Sequence, residues 1–63
     1  MNKDDRKSFY RFANSAINLE LEAKLIQLHN LILKLKESST IADANWMIKE
    51  ISLELDARKD VHA

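Results

Sequence analysis

Lys36-Glu37-Ser38-Ser39-Thr40-Ile41-Ala42-Asp43 is the stretch where the helical periodicity of this chain breaks. Three small hydroxyl residues in a row compete with a helix for its backbone hydrogen bonds. Thr40 followed by Asp43 has the spacing of an N-cap with an acid at the third helical position. The stretch therefore predicts a turn at 38–40 between two helices. A connection that short makes the helices antiparallel neighbours.

Upstream of the turn, apolar residues recur without a gap from Phe9 to Leu35. This predicts one long helix over 3–37. Asn2 stands at its N-cap, Asp4 and Asp5 lie in the first turn where the helix dipole favours acids, and Lys34 and Lys36 lie in the last turn where it favours bases. Downstream, Ile41, Ala44, Ile48, Ile51 and Leu55 step by three and four, a single apolar seam that predicts a shorter helix over 41–59. Residues 60–63 are expected to fray. The whole of 1–63 reads as a single all-α domain, an antiparallel helical hairpin.

Composition agrees with this. The 63 residues contain no glycine, no proline and no cysteine. Without the first two, tight turns, β-hairpins and Gly-rich phosphate loops are disfavoured, and the strongest helix breakers are gone. Without cysteine there is no disulfide, and no zinc cluster is formed by the two histidines. A chain this short buries only about 60% of its unfolded surface. Self-association is the staple left to it.

The apolar pattern of the long helix points the same way. One seam is Phe9, Phe12, Ala16, Leu19, Ala23, Ile26 and Leu33, with Asn30 in step. A second is Tyr10, Ala13, Ile17, Leu21, Leu25, Leu28, Ile32 and Leu35, joined by Leu31. The two face different sides of the C-terminal half of the helix. A helix of about 28 Å cannot cover one of about 50 Å, at 1.5 Å per residue. The hairpin is thus expected to dimerise into a four-helix bundle. Its interface would take in Phe9, Tyr10, Phe12, Leu21, Leu25, Leu28 and Ile32, with Trp46 and Leu53 from a weaker second face of the shorter helix. Asn30 reads as a polar residue that fixes register within an apolar seam.

Candidate chemistry is sparse. His29 lies on the polar side of the long helix and His62 in the tail, and neither has a carboxylate or second histidine one turn on. Glu50, Glu54 and Arg58 read as a solvated, salt-bridged face rather than an acid–base pair. No catalytic, cofactor-binding or metal residue is expected, and the chain is not expected to be an enzyme. Lys3, Arg6, Lys7 and Arg11 form a basic stripe interleaved with Phe9, Tyr10 and Phe12, a pattern that can hold phosphate and stack bases. Against it, ten basic residues balance ten acidic ones over the chain. No apolar run approaches the roughly 20 residues needed to span a bilayer, and no secretory pattern opens the sequence. The expectation is a small cytoplasmic, non-enzymatic regulator or adaptor that pairs with itself and with another protein. The alternative is an RNA- or DNA-binding regulator that uses the basic stripe.

Overall fold

The computed structural model describes residues 1–61, and side chains as far as Lys59. Among the described residues the chain is all-helical, with three helices and no strand: α1 Lys3–Ser15, α2 Asn18–Ile32 and α3 Ser38–Val61. The long helix expected over 3–37 is therefore two helices, and the two-helix hairpin becomes a three-helix fold. Asn2 caps α1 as its spacing predicts, its Oδ1 accepting from the Asp5 N–H at 2.8 Å.

The break falls at Ala16 and Ile17, both extended, with ψ of 148° and 161°. Among the described residues none has positive φ, so this reversal is built without any conformation that requires glycine. Polar side chains drive it. The Ser15 hydroxyl donates to the Arg11 carbonyl at 2.7 Å, a bond back into the helix that tends to bend it. The Ile17 N–H, which would otherwise continue the ladder, donates instead to Glu20 Oε1 at 3.0 Å. The Ala16 N–H makes the last helical bond, to the Phe12 carbonyl at 2.9 Å.

The second connection also lies earlier than the sequence suggests. After Ile32 the chain leaves the helix through Leu33 and Lys34, and the Lys34 and Leu35 N–H groups both donate to the Leu31 carbonyl. Ser38, Ser39 and Thr40 are the first turn of α3, not the turn before it. Thr40 does not act as the expected cap. Its hydroxyl donates to the Glu37 carbonyl at 3.0 Å, and the Ile41 N–H donates to the same carbonyl at 3.1 Å. Asp43 receives the Met1 amino group at 2.8 Å. Since α3 continues through Val61, only residues 62 and 63 of the expected tail remain beyond it, and they lie outside the described residues, as does His62.

Helix α3 is the element on which both others pack. At 24 residues it is about 36 Å long, which accounts for the longest Cα extent of 39 Å. Met1 meets Asp43 at the start of α3 and Ala13 meets Arg58 near its end, so α1 and α3 run parallel and α2 runs against both. The interior is made by Phe9, Ala13 and Ala16 from α1 and its end, Leu21 and Leu28 from α2, and Ala44 and Ile51 from α3. Phe12, Leu25, Trp46, Met47, Ile48 and Leu55 pack around that core half-buried. The predicted seam of the last helix is thus the one used.

This arrangement changes where the aromatic residues go. A straight 50 Å helix leaves Phe9 and Phe12 beyond the reach of its partner within one chain. The break at Ala16–Ile17 folds them back onto α3 instead. The Phe9 ring lies 5.8 Å from Phe12 and 5.7 Å from Trp46, and Tyr10 meets the Trp46 ring edge-on at 5.4 Å. Trp46 is the hub of this cluster rather than part of an outlying strip.

Candidate functional site

Two surfaces remain after the interior is accounted for. The first is a stripe along α2. Once the chain breaks at Ala16–Ile17, the seam that began with Phe9, Phe12 and Ala16 is cut in two. Its upstream part enters the core. Its downstream part, Leu19, Ala23, Ile26, Asn30 and Leu33, lies on the outer side of α2. Leu19, Ile26 and Leu33 stand one heptad apart and are 70%, 64% and 84% exposed. The side chains between them are small or amide, and both are exposed. Spacings of four and three place Leu19, Ala23, Ile26 and Asn30 on one line of the helix, the geometry of a coiled-coil seam, and Leu33 continues the spacing at its C-cap. Leucine and isoleucine exposed singly need no explanation, but a heptad-spaced row of them does.

The second surface is the outer face of α1. Lys3, Arg6, Lys7 and Tyr10, together with Met1, border a shallow open groove. The Arg6 guanidinium lies over the Trp46 ring, 5.3 Å from its centroid, so its charge is partly engaged by the π face. Arg11 is exposed but does not border the groove. Asp4 and Asp5 are exposed on the same two turns.

The residues expected at a dimer or partner interface divide by exposure. Phe9, Leu21 and Leu28 are buried inside one chain, and Phe12, Leu25, Ile32 and Trp46 are half-buried. Tyr10 and Leu53 are exposed, at 44% and 53%. The structure therefore groups Tyr10 with the basic residues and leaves Leu53 by itself on α3. His29 is exposed on α2. Among the described residues no group of three histidine, aspartate or glutamate side chains is placed to hold a metal ion.

Arg58 is the residue that sequence spacing undervalues. Its expected pairing with Glu54 is present, Nε to Oε1 at 3.0 Å. The rest of the guanidinium reaches across the molecule. Nη1 donates to Asn18 Oδ1 at 2.7 Å, and Nη2 donates to the Ala13 carbonyl at 3.1 Å. Helix α1 has no basic residue in its own last turn, so Arg58 supplies the cation that its C-terminal carbonyls favour. One planar fork ties the end of α1, the start of α2 and the last third of α3 together.

Arg58→Met keeps most of the apolar stem and removes the fork. Hydrogen bonds to a charged group contribute about 1.5–3 kcal/mol, so the urea midpoint should fall by that amount divided by the m-value. Arg58→Lys should recover little, because an ammonium cannot span the same three acceptors. A midpoint unchanged in Arg58→Met would mean that the fork does not hold the corner.

No family model, no curated protein and no solved structure matches this chain. No helix among the described residues is long and apolar enough to cross a membrane.

Proposed function

We propose that this chain is a small non-enzymatic regulator or adaptor that works by helix-mediated protein contact, and that the α2 stripe is the contacting surface. The observation that carries this reading is the heptad-spaced exposure of Leu19, Ile26 and Leu33. Those side chains are not among the buried residues of the interior. Replacing them by polar residues would leave the core intact and improve solubility, so their apolar character is best explained by a protein surface that covers them. A cytoplasmic setting is part of the proposal.

The test uses a photoreactive phenylalanine analogue placed at Ile26 in the full chain expressed in cells. Irradiation should give protein adducts from position 26 and none from position 49, an exposed site on α3. Absence of adducts from position 26 would defeat the reading.

A second reading is favoured by one specific observation, the convergence of Lys3, Arg6, Lys7 and Tyr10 on one groove. On that reading the α1 face binds nucleic acid. Each basic residue in phosphate contact should then add about 0.7–0.9 to the slope of log affinity against log salt. Reversal of Lys3 and Lys7 to Glu should abolish binding and barely change stability. The expected result is no measurable binding of RNA or DNA hairpins at physiological ionic strength; salt-sensitive binding would promote this reading over the first.

A further inference from the structure

We infer that the occupant of the α2 stripe is a second copy of this chain, with the two α2 helices antiparallel about a two-fold axis near the middle of the stripe. The inference rests on the reading of α2 as a contact surface and adds the identity and direction of the partner.

Charge along α2 sets the direction. The stripe is flanked at its N-terminal end by Glu20 and Glu22, and at its C-terminal end by Lys34 and Lys36. All four are exposed, and among the described residues none forms an ion pair within the chain. Glu22 stands about 15 Å along α2 from its end at Ile32, and the lysines follow in the connection beyond it, so the two ends do not neutralise one another. An antiparallel copy brings each acidic end against the other copy's basic end, and does so at both ends at once, as a closed two-fold interface requires. A parallel copy would let Asn30 meet its mate, as a single seam asparagine favours. It would also set Glu20 and Glu22 against their like, and Lys34 and Lys36 against theirs. Two repelling ends outweigh one amide pair.

Exposed area agrees with a missing partner of this size. The chain exposes 4828 Å². The scaling for compact monomers gives about 4,200 Å² at its mass of 7.3 kDa. The difference approaches the roughly 800 Å² that each partner contributes to a standard interface.

The test is sedimentation equilibrium on the purified full chain, with circular dichroism to check that each variant is folded. The wild type should be dimeric at micromolar concentration. Ile26→Lys, at an exposed position, should be a folded monomer at every salt concentration. Lys34→Glu with Lys36→Glu makes both ends acidic, and should weaken association at least about tenfold at low salt. That loss should shrink in 1 M salt, where the Debye length is about 3 Å. Glu20 is left alone because it holds the Ile17 N–H. A folded wild-type monomer at about 100 μM would overturn the inference while leaving the contact reading to the adducts from position 26. A dimer that survives Ile26→Lys would overturn it by placing the interface elsewhere. A dimer lost with Ile26→Lys yet indifferent to the lysine reversal would overturn the antiparallel direction, since a parallel pair exchanges one repulsion for another.

Discussion

Leu21→Ala should leave much of the chain unfolded at 25 °C. Among the described residues Leu21 is one of two large side chains with no exposed surface, the other being Ile51 on α3. Removing most of a fully buried leucine loses its transfer free energy and leaves a cavity, together about 2–5 kcal/mol. A chain of this length has a total stability on the order of 3–9 kcal/mol. One substitution therefore removes from about a fifth of it to all of it, depending on where the two ranges fall. Ile51→Ala should behave alike. Lys49→Ala is the control, because Lys49 is exposed on α3 and lies off the stripe, and its loss should change stability by less than about 0.5 kcal/mol. Urea titration followed at 222 nm measures all three. A Leu21→Ala protein as stable as Lys49→Ala would mean that α2 presents its other face to the core, and the stripe and the seam would exchange roles.

That exchange is the point at which sequence reading is under-determined. Two apolar seams on one helix are visible from spacing alone, and so is the seam of the last helix, because Ile41, Ala44, Ile48, Ile51 and Leu55 have only the weaker face of Trp46 and Leu53 as a rival. Which seam of α2 turns inward depends on the break at Ala16–Ile17, and that break has no glycine or proline to announce it. Its signal is local and weak: Asn14, Ser15 and Asn18 within five residues, then Glu20 three residues after Ile17. Each is tolerated in a helix, and a helix is the better guess for an unbroken apolar pattern. What settles the matter is tertiary. Arg58 binds the Ala13 carbonyl and Asn18 from forty or more residues away, and Trp46 offers Phe9 a surface that a straight helix does not reach. The Ser38–Thr40 stretch shows the converse. Its hydroxyl residues are strong local signals for a break, yet they form the first turn of α3, because helix starts and turns favour the same side chains.

Phe9→Ala should be the most damaging change in α1, and its outcome tests whether the three helices fold as one unit. Phe9 is nearly buried, with the rings of Phe12 and Trp46 both within 6 Å. Truncating such a phenylalanine costs about 3–5 kcal/mol, which includes the aromatic pairs it makes. Arg6→Ala, by contrast, removes a cation–π contact at an exposed position and should cost no more than about 1 kcal/mol. The chain has one tryptophan, so the emission of Trp46 reports on α1 docking without ambiguity. Two results are physically distinct. If α2 and α3 held together alone, Phe9→Ala would shift Trp46 emission to the red while most of the 222 nm ellipticity survived. The expected result is that both signals are lost together, in one urea transition at a lower midpoint. The reason is that α1 and its C-cap supply Phe9, Ala13 and Ala16 to a small core, and the pair left behind would keep only Leu21, Leu28, Ala44 and Ile51 as its buried residues. A two-helix remnant with so small an interior lacks the burial that offsets chain entropy. Well-separated transitions by fluorescence and ellipticity would show instead that α1 is an independently docking arm, held by the aromatic cluster and Arg58 rather than by the common core.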